Sequence, residues 1–250
     1  MIVVGTTMAA FCTDDPDTSE AWVRNAEAII ASHPDGVRYF AAIQVDARGL
    51  DPFEGVLRRL AEIGGEYWTY SLDDGRTSVT TANRLRHLVA GQNLVSDYCR
   101  AIPDCTHLLF LAADLEPPPD CLPKLLALDH PLVGGHVPTY GLHGPTTPGY
   151  PPLWGVQTHM ATAAFVMLHR SVFNRIGWRW DLDAGMSDDP CLEHDARTLL
   201  DVPTLVRHDC EGRHWPQSIG AVETRGHDMT VARPDGGPTA PDPVWVDSRA

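Results

Sequence analysis

The segment HLLFLAADLEPPP, residues 107–119, constrains the fold more than any other part of the chain. Its apolar run from Leu108 to Ala113 shows no polar alternation, so the strand it predicts is buried on both faces, between layers of helices. The run ends at two carboxylates, Asp114 and Glu116, and three prolines then forbid further sheet pairing. In open α/β sheets ligands collect beyond the carboxyl ends of the strands, and the two acids fall there.

The preceding chain supplies the alternation such a sheet needs. IVV, near the N-terminus, is a short strand. Trp22, Ala26, Ile29 and Ile30 recur at helical spacing behind Ser19, which is expected to cap that helix. VRYFAAIQV is a second strand, and Phe53, Val56, Leu57, Leu60 and Ala61 mark a second helix stopped by Gly64-Gly65. EYWTYSL is a third strand; Leu85, Leu88, Val89, Gln92, Val95, Cys99 and Ile102 mark the helix leading into HLLFLAA. DCLPKLLAL is a further helix after the prolines. This order predicts an α/β fold with a mostly parallel sheet flanked by helices, in a single domain over residues 1–232. Residues 233–250, rich in Pro, Gly and Asp, read as a tail without a core of its own.

Charge narrows the function. With 19 Lys+Arg against 33 Asp+Glu the formal net charge is −14, which repels phosphate backbones and anionic lipid. An acidic protein still holds an anionic ligand through a bound divalent cation. The six cysteines form no C-x-x-C pair and predict free thiols in a reducing compartment. No window approaches the ~18 apolar residues of a membrane helix, and the N-terminus lacks the basic flank of a secretory signal, so the expected setting is the cytoplasm with no membrane partner.

If the chain stays extended, Asp114 and Glu116 point to one side, and two such oxygen donors suit a hard cation such as Mn²⁺ or Mg²⁺. Short acidic motifs also recur simply to solvate strand ends. A different use of the histidines and cysteines is a zinc site built from Cys191, His194, His208, Cys210 and His214, but the spacings C-x-x-H and H-x-C-x-x-x-H are irregular for zinc modules. A nucleotidyltransferase reading lacks a Gly-rich phosphate loop with a following Lys.

LLFLAADLEPPPDCLPKLL resembles the metal-binding strand end of GT-A fold glycosyltransferases of the family 2 type: an apolar strand, D-x-D, prolines and a helix. The likeness continues in order. RLRHLVAGQNLVSDYCRA is similar to the preceding helix, with Gly91-Gln92-Asn93 where the family often has Ala-Arg-Asn. LVGGHVP resembles the following strand and HMATAAFVMLHRSVFNRIG the acceptor-side segment. GMSDDPCLEHDARTLL is similar to the Ser-Glu-Asp segment opening a helix near the acceptor, and LVRHDCEGRHW to the segment with a late metal-binding histidine.

The resemblance implies an enzyme, a glycosyltransferase using a nucleotide-sugar donor, a UDP-sugar first among them, with Mn²⁺ or Mg²⁺. It implies Asp114, Glu116 and His214 as metal ligands, with Asp114 also near the donor's ribose. It implies Asp189 or Asp188 as the base that deprotonates the acceptor hydroxyl, Asp189 being preferred and Asp188 expected to cap the helix ahead of Pro190. With Gln92 at the usual Arg position, Arg84 or Arg86 is expected at the diphosphate, and Asn93 keeps the family's Asn in the donor-binding set. Thr6 and Thr7, Asp46, and Asp73 or Asp74 lie at strand ends where the family binds the base. Trp154, His159 and Trp178 are candidates for an acceptor platform, core packing being the stronger reading for Trp178. The acceptor is the hydroxyl of a saccharide, a small molecule, or a hydroxymethylated pyrimidine in DNA. The last use is known from short enzymes of this kind in bacteriophages, which would place the protein in the host cytoplasm. A DNA acceptor needs cations such as Arg170, Arg175, Arg179 and Arg213 around the cleft. The alternative class is a non-catalytic nucleotide-sugar-binding protein on the same fold.

Overall fold

A computed structural model of the chain describes residues 1–9, 16–32, 36–45, 48–71, 81–113, 115–137, 164–181 and 188–214. Asp46, Asp73, Asp74, Asp114, Trp154, His159 and the 233–250 tail lie outside the described residues, as do the side chains of Arg84, His208, Arg213 and His214.

Among the described residues, seven strands form one sheet. They are β1 (Ile2–Ala9), β2 (Val37–Gln44), β3 (Glu66–Tyr70), β4 (His107–Leu111), β6 (Leu132–His136), β7 (Phe165–His169) and β8 (Leu205–Glu211), in the order β3-β2-β1-β4-β7-β6-β8. β1 runs parallel to β2 and β4, β2 to β3, and β6 to β8; β7 alone reverses, antiparallel to β4 and β6. The expected α/β architecture with a mostly parallel sheet is therefore present, and β7 is the exception that the apolar pattern did not announce. A second, two-stranded ladder joins β5 (Leu115–Glu116) to β9 (Arg213–His214).

Helices cover both faces. α1 (Pro16–Ser32), α2 (Glu54–Glu62) and α4 (Cys121–Leu126) pack on one side, around Trp22, Ile29, Leu60, Leu109 and Leu122. α3 (Thr81–Ala101), α5 (Arg170–Phe173) and α6 (Asp188–Leu200) pack on the other, around Phe40, Val95, Phe110, Phe173 and Leu192. β4 sends Leu109 and Leu111 into the first core and Leu108 and Phe110 into the second, which is why its apolar run is unbroken. Burying each such side chain stabilises the fold by about 1.5–3 kcal/mol.

Helix ends follow local chemistry, with two corrections. α1 begins at Pro16, so Ser19 lies inside the helix and is not its cap. Proline suits the first turn, where an N–H has no helical acceptor. α6 begins at Asp188, which makes Pro190 its third residue where the sequence suggested the first; the first turn tolerates either position for the same reason. α2 ends as expected: Gly64 adopts φ +70°, and the Gly65 N–H donates to the Leu60 carbonyl at 2.8 Å. Cys99, Cys105, Cys121, Cys191 and Cys210 are free and buried. Among the described residues no helix is long and apolar enough to cross a membrane.

Candidate functional site at the carboxyl edge of the sheet

β4 itself stops short of the acids. β4 ends at Leu111, and the Leu115 N–H donates to the Ala112 carbonyl at 3.1 Å, closing a turn between them. Leu115 and Glu116 form a two-residue strand beyond it, and Asp114 lies outside the described residues. Three contacts hold that strand. Leu115 is fully buried; Asn25 of α1, itself buried, donates from Nδ2 to the Leu115 carbonyl; and Glu116 pairs with Arg213 while Leu115 pairs with His214. Gly212 allows the pairing. A Cβ there would stand 3.0 Å from both Leu115 Cδ2 and Phe165 Cδ1, and its N–H donates to the His136 carbonyl at 2.8 Å. Two segments far apart in sequence, 112–116 and 212–214, are joined in this way at the carboxyl edge.

This ladder bears on the metal. Paired residues in an antiparallel ladder have Cα atoms ~4.5–5.5 Å apart, so position 214 lies beside 115 and within a residue of the exposed Glu116. Among the described residues there is no cluster of three or more His, Cys, Asp or Glu that could hold a metal; Asp114 and the His214 side chain lie outside them. The zinc reading gains nothing: Cys210 sits in the first core with Cys121, while Cys191 lies on α6, which packs on the opposite face.

One face of α3 organises the acceptor-side acids. Gln92 is fully buried, and its Nε2 donates to Asp188 Oδ2 at 2.7 Å. Its Oε1 is buried with no hydrogen-bond partner among the described residues. Asn93 donates from Nδ2 to the Trp178 carbonyl at 2.9 Å and accepts the Trp178 N–H at 2.9 Å, and Ser96 Oγ accepts from Trp178 Nε1 at 3.0 Å. The Asn93 amide thus faces the protein backbone, and Trp178 is a core residue, stacked obliquely on Phe110. Asp188, expected mainly to cap α6, is buried and holds the Gln92 amide; Asp189 is half-buried beside it. Next along, Arg179 makes two 2.7 Å hydrogen bonds to Asp195, from Nε to Oδ2 and from Nη2 to Oδ1, tying the Trp178 segment to α6. Burial alone would push Asp195 up, but the hydrogen bonds from Arg179 and His194 outweigh it and hold the carboxyl below its usual range.

At the other end of the same edge, Thr6 is buried in β1 and Thr7 touches α3, where Gly91 leaves room: a Cβ there would meet Thr7 Cγ2 at 2.6 Å and the Tyr70 hydroxyl at 2.7 Å. Tyr70 donates to the His87 carbonyl at 2.8 Å. Gln44, the last residue of β2, is also buried with its Oε1 unpartnered. Arg86 is exposed on α3. The cations named for a DNA acceptor do not gather. Arg170 lies at the opposite, amino edge, donating to the carbonyls of Ile102, Pro103 and Cys105, and Arg179 is held by Asp195.

Sequence reasoning passed over Asn25, Gln44 and the Gln92–Asp188 pair. The signal was a polar residue on an apolar stripe: Gln92 recurs at helical spacing with Leu88 and Val95, a position where an amide needs a partner.

No family model matches the chain, and no curated protein does. Some solved structures are distantly similar to it. The galactosyltransferase LgtC, crystallised with donor and acceptor sugar analogues, is 13% identical over 97% of this chain and 98% of its own, at a TM-score of 0.44. A glycosyltransferase involved in glycosylation of the major capsid of PBCV-1 is 10% identical over 92% and 99%, at 0.41. A197 from STIV is 12% identical over 86% of each chain, at 0.44. These are distant similarities, at identities where residue roles do not transfer.

Proposed function

We propose that the chain is a metal-dependent, inverting glycosyltransferase of the GT-A kind, moving a sugar from a nucleotide-sugar donor to an acceptor hydroxyl. The observation that carries this reading is that the 112–116 and 213–214 segments, far apart in sequence, pair beyond the carboxyl end of β4, while the acid-bearing start of α6 is bonded to α3 next to Gly91, which abuts Thr7 of β1. Asp114, Glu116 and His214 would hold Mn²⁺ or Mg²⁺, which, when bound, supplies positive charge to the diphosphate leaving group. Thr6, Asp46 and Asp74 stand for the base end of the donor, and Arg84 for the diphosphate.

Asp189 accepts the acceptor's proton as the hydroxyl attacks, and a single displacement of this kind inverts the anomeric centre. Asp188, bonded to Gln92, fixes the start of α6 and hence its neighbour's position. A saccharide or small-molecule hydroxyl is favoured over a hydroxymethylated pyrimidine in DNA, because the net charge is −14 and both Arg170 and Arg179 are engaged within the protein. Thermal shift against a panel of sugar nucleotides with Mn²⁺, followed by transfer assays on saccharides and on hydroxymethylated DNA, tests the reading. Transfer to either acceptor class supports it. Binding of sugar nucleotides without transfer or hydrolysis would indicate a non-catalytic binding protein.

A further inference from the structure

We propose that Gln92 faces the neutral, hydroxyl-bearing sugar of the donor and not its diphosphate; this rests on the nucleotide-sugar reading above. The amide is oriented by its partner. Nε2 must face Asp188 Oδ2, 2.7 Å away, because two acceptors would repel, so Oε1 is the end left over. That oxygen is buried and meets no donor among the described residues. A buried amide carbonyl in this state is costly, and a ligand that brings a donor removes the cost on binding.

The surroundings select the ligand's chemistry. An amide oxygen only accepts, and it sits on the carboxamide that holds the Asp188 carboxylate, with Asp189 the next residue. A phosphate oxygen would meet acceptors and negative charge there; a hydroxyl, which donates, is attracted. A sugar hydroxyl has the right chemistry and a diphosphate has the wrong one. The presenting scaffold is also rigid. Asn93 and Ser96, on the same helix, grip Trp178 through three hydrogen bonds of 2.9, 2.9 and 3.0 Å, so α3 does not yield to suit an ill-matched ligand.

The test compares two affinities in one protein. Calorimetry with Mn²⁺ measures the full chain and its Gln92→Met variant against a nucleoside diphosphate and against the matching sugar nucleotide. The expected result is nearly unchanged affinity for the diphosphate and roughly tenfold or greater loss for the sugar nucleotide. Equal losses for both ligands would place position 92 at the diphosphate and overturn the proposal. No loss for either would make the pair purely structural, with an ordered water on Oε1, and overturn it as well. Should Gln92→Met not fold, Gln92→Asn, which keeps the amide but withdraws it by one methylene, carries the same comparison. A wild-type chain that binds no sugar nucleotide defeats the functional reading itself; wild-type binding with an unchanged ratio in the variants defeats this inference alone.

Discussion

The two edges of the sheet are built from the same strands and solve opposite problems. At the amino edge most polar groups meet partners, the buried Thr204 hydroxyl ahead of β8 being an exception among the described residues. Arg170 gives its guanidinium to the carbonyls of Ile102, Pro103 and Cys105, the Thr106 hydroxyl donates to the Met1 carbonyl, and His169 Nδ1 accepts the Ser171 N–H that opens α5. At the carboxyl edge Gln44 Oε1 and Gln92 Oε1 are buried without partners among the described residues, and Glu116 is exposed. An edge that engages its own groups supports the fold; buried acceptors left over at the edge where α/β sheets take ligands are available to something that binds. Substitutions at the carboxyl edge should therefore cost activity, and those at the amino edge should cost stability.

The largest effect should come from the base. Asp189→Asn keeps size and much of the hydrogen bonding but removes basicity, so turnover should fall ~10²–10⁴-fold while donor binding survives. Asp188→Asn still offers Gln92 an acceptor oxygen and should cost far less. Steady-state rates for both variants, with product configuration read by NMR, check this. Near-normal turnover in Asp189→Asn would remove that residue from the mechanism.

Arg170→Met is the mirror experiment. It strands carbonyls that a charged donor now satisfies, so unfolding free energy should drop by about 2–3 kcal/mol with kcat/KM unchanged for the remaining folded protein. A large loss of kcat/KM at full stability would break the contrast between the edges.

Gly91→Ala lies between the two classes, since its Cβ would press on both Thr7 and Tyr70. Overpacking of this kind costs about 1–3 kcal/mol, read as a shift in denaturant midpoint. Sugar-nucleotide affinity should weaken too if the Thr7 end of β1 touches the donor, and an unaffected affinity would remove that strand end from the site.

The smallest effect is a pH slope. Burial, with the facing His169 and the N-terminal ammonium adding to it, lowers the His107 pKa below its usual 6.5, against an opposing pull from Asp129. The unfolded chain then binds the proton more readily, so this contribution to stability is present above pH 6.5 and is lost as pH falls through that value toward the lower folded pKa. His107→Gln should flatten the stability profile below neutrality, while the activity profile keeps its shape.

The unequal legibility of these features has a physical basis. β4 was readable because a strand covered on both faces has no polar face to confuse the pattern, and α2's stop was readable because only glycine takes φ +70° easily. Reversal of β7 left no mark, since FVMLH would be equally apolar in either direction. The turn between Ala112 and Leu115 was also hidden. It depends on a hydrogen bond from Asn25, a residue of α1, and on the absence of a side chain at Gly212, and neither is local to the acids. Asp114 and Glu116 could be singled out from sequence because a carboxylate's chemistry is intrinsic to the residue. The Gln92–Asp188 pair was not, because it joins α3 to α6 across the fold.

Metal-dependent donor binding at the carboxyl edge is tested most directly by calorimetry of a nucleoside diphosphate, with and without Mn²⁺, on the wild-type chain and on Glu116→Ala. Wild-type binding should require the cation, and Glu116→Ala should abolish that requirement together with the tight binding, while its folding is unaffected because Glu116 is exposed. Wild-type affinity that is the same with and without Mn²⁺, or a Glu116→Ala variant that keeps the full metal-dependent affinity, would contradict the account.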